Sequence, residues 1–118
     1  MTHDPKSVLT AANDAVRRGD HEGFLAHCTD DVVWRFIGDR TNQGKPAIKD
    51  YMDKTYVHPP EFDVELMVAD DRHVVAIGRI TLTDAPGRRT TSDYADVWRL
   101  RDGKLAELRA FVVEAEGG

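Results

Sequence analysis

The chain has 118 residues, with 16 lysines and arginines against 21 aspartates and glutamates, a formal net charge of −5. That length suits one domain with its own core, and 41% hydrophobic with 31% charged residues is a globular balance that excludes a disordered chain. The acidic balance without a basic cluster excludes a nucleic-acid-binding face, and no apolar run longer than Val74 to Ile77 stands where a membrane span would need about 20 residues.

The opening segment, Met1 to Val8, is polar and lacks the apolar stretch of a secretory signal. Cys28 is the single cysteine, so no internal disulfide forms, which fits a reducing cytoplasm. Val8, Ala11, Ala12, Ala15 and Val16 have amphipathic spacing and predict a first helix, with Asp4 as its N-cap, Pro5 at the first helical position and Gly19 as its stop. Asp20 caps a short second helix carrying Phe24, Leu25 and Cys28, and Thr29-Asp30-Asp31 breaks it. Val32 to Ile37, rich in β-branched and aromatic residues, predicts a strand. The stretch Gly38 to Gly44 reads as a loop. Pro46 opens a third helix with Ile48, Tyr51, Met52, Thr55 and Tyr56 on its apolar face, stopped by His58-Pro59-Pro60.

A meander follows. Phe62, Val64, Leu66 and Val68 alternate with Asp63 and Glu65, which predicts a strand with one wet face. Asp70-Asp71 is a turn and His73 to Thr83 a long strand. Pro86-Gly87 suits the central pair of a type II turn before a strand from Thr90 to Leu100. Asp102-Gly103 marks a hairpin into a last strand, Leu105 to Val113, and Glu114 to Gly118 is a tail. The order is ααβαββββ, an α+β chain with helices on one face of a curved antiparallel sheet. No internal repeat or linker interrupts it, so residues 1–118 form a single domain.

Four stretches stand out within that order. They are Arg18-Gly19-Asp20 between the first helices, Cys28-Thr29-Asp30-Asp31-Val32-Val33-Trp34 into the first strand, Gly44-Lys45-Pro46-Ala47-Ile48 opening the third helix, and Tyr94 to Leu105 across the last hairpin. Together they resemble the nuclear transport factor 2-like superfamily, in its SnoaL-like and steroid isomerase-like group. The resemblance implies a cone-shaped barrel, with the curved sheet wrapped around about three N-terminal helices and a pocket between them. It also implies a homodimer through the outer face of the sheet. The fold hosts isomerases, cyclases, hydrolases and non-catalytic binding domains, so it does not by itself name an activity.

Alignment with the family turns Trp34 and Phe36, Val74, Ala76, Gly78, Ile80 and Leu82, and Tyr94, Asp96 and Trp98 toward the pocket. Val75, Ile77, Ala95, Val97, Phe111 and Val113 then form an apolar outer face. The last hairpin leaves a fork. A two-residue Asp102-Gly103 turn sets Asp96 opposite Arg109, whereas a bulge at Gly103 sets it opposite Leu108 and keeps Leu108, Ala110 and Val112 inward. The second register is the expected one.

Asp96 is the leading chemical candidate. A carboxyl among Trp34, Phe36 and Trp98 loses hydration and is pushed toward its neutral form, which suits a hydrogen-bond donor or a general acid or base. The bland alternative is that Asp96 bonds Tyr94, a tryptophan N–H or the backbone. The resemblance places Asp96 on the hydrogen-bond-donating aspartate of steroid isomerases, but the family's base falls on Phe36 and its oxyanion tyrosine on Ala12. The epoxide hydrolase pattern is broken as well, since Tyr94-Ala95-Asp96 lacks the arginine and Ala110 stands for the second aspartate. In the cyclase position near the end of the last strand, Glu114 is an imperfect substitute for a base.

The expected site is therefore Asp96 and Tyr94 as the reacting and polar helper groups, with Trp34, Phe36, Trp98, Tyr51, Tyr56, Ile80 and Val112 contacting substrate. Its ligand is a small lipophilic molecule, handled by a proton-transfer isomerase or cyclase. The alternatives are a non-catalytic ligand-binding or dimerisation domain and, behind it, an epoxide-hydrolase-like hydrolase. No cofactor is implied, no nucleotide fingerprint is present, and His27, His58 and His73 have no metal-site spacing. Arg79 reads as an outer-face residue and Cys28 as a core thiol.

Overall fold

A computed structural model describes residues 4–84 and 86–115. Helix α1 spans Pro5–Arg17 and α2 spans His21–Leu25. Strand β1 is Cys28–Phe36, β2 is Thr41–Gln43, and helix α3 is Lys45–Thr55. The remaining strands are β3, Glu61–Ala69; β4, His73–Thr83; β5, Arg89–Arg101; and β6, Lys104–Glu114. Among the described residues no helix is long and apolar enough to cross a membrane.

The α+β class and the curved sheet against three helices are as expected. The six strands lie in the order β2-β1-β6-β5-β4-β3 in one open sheet. It is not wholly antiparallel, because β1 runs parallel to β6. The Asp4 carboxylate accepts from the Lys6 N–H at the start of α1, and Asp20 caps α2 by accepting from the Gly23 N–H at 2.9 Å. Leu9, Ala12, Ala15 and Val16 are the buried stripe of α1.

Several local expectations are corrected. Cys28 and Thr29-Asp30-Asp31 belong to β1, not to the end of α2 and a break; the register against β6 slips between Cys28 and Val33, which absorbs them. The expected Gly38 to Gly44 loop contains β2, paired antiparallel to β1 from Val33–Gln43 to Arg35–Thr41. Tyr56 caps α3 instead of lying in it. The turn before β5 is closed by the Gly87 N–H donating to the Asp84 carbonyl, so Pro86-Gly87 is not its central pair. Strand β6 runs to Glu114, and residues 116–118 of the expected tail lie outside the described residues, as do residues 1–3 of the opening segment.

Two bulges set which side chains face inward. In β3 the register against β4 shifts between Val64 and Leu66. Phe62 and Val64 keep the inner face, while Leu66 and Val68 are turned outward and exposed, against the alternation expected across the whole strand. In the last hairpin the Asp102-Gly103 turn has two residues, both with positive φ, and the extra residue is Ala106, beyond the turn. Asp96 therefore faces Ala110, and neither register of the fork holds. The inward set expected from the bulged register survives, because Leu108 and Ala110 are buried. Arg109 pairs with Val97 on the outer face, so it does not neutralise Asp96.

Candidate functional site

The inner face of the sheet is laid out in cross-strand rows. Ala76, Asp96, Ala110 and Phe36 form one row across β4, β5, β6 and β1. Val74, Trp98, Leu108 and Trp34 form the row on one side, and Gly78, Tyr94 and Val112 the row on the other. Asp96 thus stands between two methyl groups, with tryptophans on one flank and a tyrosine on the other. The room left over is a cavity of about 90 Å³ between sheet and helices.

The helices and β3 close it. Asn13 and Val16 come from α1, Phe24 from α2, Tyr56 and Pro60 from the segment after α3, and Phe62 from β3. Trp34 is the hub of the aromatic wall, with ring centroids 5.5 Å from Phe24, 6.1 Å from Phe36 and 6.2 Å from Trp98. At the rim the Arg17 guanidinium lies 4.1 Å over the Phe62 ring and donates to the Phe62 carbonyl at 3.2 Å.

The Asp96 carboxyl has no hydrogen-bond partner among the described residues, and burial alone pushes its pKa up to about 7. The bonds that would make it structural are not formed. The Tyr94 hydroxyl donates instead to the Asp63 carbonyl at 3.1 Å, and the Trp34 indole N–H is buried without a partner. Tyr94 is pushed up to about 12, chiefly by burial and then by the nearby Asp96 charge. Tyr56 is raised still further by burial, with the Tyr51 and Asp96 charges adding to it. Both phenols therefore stay neutral while Asp96 is poised to gain or lose its proton.

Of the expected site residues, Asp96, Tyr94, Trp34, Phe36, Trp98, Tyr56, Ile80 and Val112 line this one cavity. Val112 does so from the rim, 47% exposed. Tyr51 does not line it; its ring packs behind the wall, 5.2 Å from Phe36 and 5.9 Å from Trp34. The Tyr94 hydroxyl, expected as a polar helper, is engaged with the backbone of β3. Glu114 closes β6 opposite Ser92 and is not part of the lining.

Asn13 was missed. It lies four residues after Leu9 and three before Val16, so a lone carboxamide on the buried stripe of α1 was its signal. Phe24, Phe62, Val16 and Pro60 carried no mark that separates lining from core. Three titratable groups elsewhere are held in structural bonds. The Cys28 thiol donates to the Phe24 carbonyl and is pushed up to about 12 by burial, which keeps it a protonated core group. His21 bonds Asp53 at 2.7 Å and His73 bonds Asp70 at 3.0 Å. Arg79 pairs with Asp93 on the outer face. Among the described residues no cluster of three or more histidine, cysteine or acidic side chains offers a metal site.

Comparison with known proteins follows the same lines. A family model described as the SnoaL-like domain matches residues 9–108. No curated protein sequence matches the chain. Among solved structures, the epoxide hydrolase/cyclase-like enzyme SalBIII, described in pyran ring formation in the polyether salinomycin, is 19% identical with a TM-score of 0.84, over 92% of this chain and 89% of that one. The Δ5-3-ketosteroid isomerase from Mycobacterium sp. is 20% identical with a TM-score of 0.83, over 94% and 98% of the two chains. A protein of Mycobacterium tuberculosis, solved in complex with estradiol-17β-hemisuccinate, is 19% identical with a TM-score of 0.82, over 90% and 91%. At these identities the likeness is one of fold.

Proposed function

The chain belongs to the SnoaL-like domain family, and from that premise we propose that its cavity binds a small lipophilic molecule and exchanges a proton with it through Asp96. The observation that carries this is the Asp96 carboxyl itself, unpartnered among aromatic walls with a pKa near neutrality. A group titrating near the working pH can protonate or deprotonate a substrate with little penalty in either direction. The reaction class is an isomerisation or cyclisation by proton transfer. Trp34, Phe36, Trp98, Tyr56, Ile80 and Val112 form the walls, Tyr51 backs them, and Tyr94 holds β3 in place beside Asp96. The likeness to an isomerase, to an epoxide hydrolase/cyclase-like enzyme and to a steroid-bound protein supports this class of ligand.

One observation favours a second reading, a non-catalytic binding domain. Asp96 is the only carboxyl lining the cavity among the described residues, so a two-group acid–base relay is not built. That same count weighs against a hydrolase with an activated water. A turnover and binding screen with lipophilic ketones, lactones and epoxides, run on the parent protein and Asp96→Asn, separates the two. Turnover lost with binding retained supports proton transfer; equal turnover in both proteins removes Asp96 from the mechanism.

We also infer a homodimer through the outer sheet face, where Leu66, Ile77, Phe111 and Val113 are exposed. A reducing cytoplasm suits the single buried thiol of Cys28.

A further inference from the structure

Among the described residues every ionisable side chain lining the cavity is an acid: Asp96 and Tyr94 on β5, and Tyr56 after α3. The parts of the lining from β1, β3, β4, β6 and α2 are Trp34 and Phe36, Phe62, Ile80, Leu108 with Ala110 and Val112, and Phe24, none of them titratable. On α1 the charged neighbour is Arg17, and its guanidinium is turned to Phe62 and Asp14. The only charge these walls can develop is negative. The nearest cation, Arg17, is held at the rim against Phe62 and Asp14, whereas a cationic ligand inside the cavity would meet the Asp96 carboxylate directly.

Four polar groups of the lining have no hydrogen-bond partner among the described residues: the Asp96 carboxyl, the Asn13 carboxamide, the Tyr56 hydroxyl and the Trp34 indole N–H. They come from α1, β1, the end of α3 and β5, and none satisfies another. The first three each present an oxygen that can accept a hydrogen bond, while the Trp34 N–H only donates, and a primary ammonium has three N–H donors and one positive charge. A carboxylate paired with such a cation in an apolar site regains what it lost by desolvation, provided its other acceptor sites are filled.

We propose that the cavity selects small lipophilic molecules bearing a basic nitrogen, bound as the ammonium, with ionised Asp96 as counter-ion and Asn13 and Tyr56 accepting its remaining N–H bonds. Asn13 is then a specificity-determining contact. The cavity, about 90 Å³, is smaller than the roughly 150 Å³ that takes benzene in an engineered core. The buried part of the ligand is thus no larger than one ring, and anything longer leaves past Val112 and Phe62 at the rim. This rests on the reading that the cavity is the ligand site.

The test is calorimetric titration of benzylamine and its neutral isostere benzyl alcohol between pH 5.5 and 8. Benzylamine stays protonated over that range, so its binding follows the ionisation of Asp96. Its affinity is expected to rise about tenfold per pH unit below the Asp96 pKa and to level off above it, with one proton released at the low end. Benzyl alcohol is expected to bind more weakly at pH 8 and to show no such rise. Asp96→Asn should abolish the rise and the preference for the amine, with near-UV circular dichroism reporting a folded variant. Asn13→Ala should weaken benzylamine by roughly three- to tenfold more than it weakens benzyl alcohol. Benzyl alcohol binding as tightly as benzylamine, or an amine affinity that is flat or falls with pH, overturns the ammonium proposal and leaves the ligand pocket standing. If neither probe binds, the pocket reading falls with it.

Discussion

Asp96 on β5 and Ala110 on β6 are direct cross-strand partners, and Ala76 on β4 faces Asp96 from the other side. The contrast with the adjoining row is one of volume. There Trp98 meets Val74 and Leu108, and the space is filled. The cavity exists at Asp96 because both of its sheet neighbours stop at Cβ.

Ala110→Leu should therefore fill the cavity from its own wall. Added methylenes in a packed interior cost about 1–3 kcal/mol, and here part of that is offset because the side chain enters empty space. The expected result is a folded protein, by near-UV circular dichroism, that has lost binding of any cavity ligand. Unaltered binding would show that ligands sit elsewhere.

Asp96 makes stability depend on pH. Its pKa is about 7 in the folded chain against 3.8 for the exposed group, so the folded state holds the proton more tightly. The contribution is complete below pH 4 and is lost as pH rises from 4 through 7. Asp96→Asn removes that loss. The variant should match the parent at pH 4 and exceed it above pH 8 by up to about 4 kcal/mol, less where solvent entering the rim screens the carboxylate. Urea unfolding at pH 4, 6 and 8 measures it, and a constant difference across that range would place Asp96 in a polar setting.

Much of this was legible because it is local. Ala12, Ala15 and Val16 of the first helix, the Asp4 and Asp20 caps and the Asp102-Gly103 turn are read from neighbours a few residues apart, though the buried stripe takes Leu9 where Val8 and Ala11 are expected. Strand alternation put Asp96, Trp98 and Tyr94 on one face, and the family resemblance made that face the inner one. What was lost depends on partners far along the chain. Thr41-Asn42-Gln43 is polar and becomes a strand only because β1 offers it an edge. The bulge that turns Leu66 and Val68 outward, and the one at Ala106, each insert a residue without a compositional mark. Asn13 joins the site because α1 lies across β4 and β6, a packing that helical periodicity does not contain.

Gly78 is expected to tolerate nothing larger. A Cβ there would overlap the Asp63 carbonyl oxygen and come within 3.1 Å of the Tyr94 hydroxyl. These are the two groups whose hydrogen bond ties β3 to β5 across β4. The close approach of β3 is what carries Phe62 over the cavity rim. Gly78→Ala should cost more than about 2 kcal/mol, since backbone must move to admit it. It should also weaken ligand binding, as Phe62 retreats with the strand. Urea unfolding with a parallel binding titration checks both, and a variant as stable as the parent would mean that β3 is free to shift.

The outer face supplies the last prediction. Leu66, Ile77, Ala95 and Phe111 align in one row across β3, β4, β5 and β6, and Val68, Val75 and Val97 in the next. Leu66, Ile77 and Phe111 are 52%, 39% and 44% exposed, so the row is an apolar strip left open by a single chain. Ion pairs flank it: Arg79 with Asp93 on one side, and Glu107 with Arg35 and Arg99 on the other. Apolar rows bordered by charge are the pattern of an interface core and rim. A two-fold axis through the strip would set the same rows against each other. Sedimentation equilibrium should give twice the chain mass of 13.2 kDa for the parent. Phe111→Lys and Ile77→Lys should each give the single mass, because a lysine at the centre of the strip would be buried without a partner. Neither side chain is buried within one chain, so both variants should fold, with circular dichroism as the check. A parent protein that sediments as a single chain at tens of micromolar would leave this face without a second copy of itself.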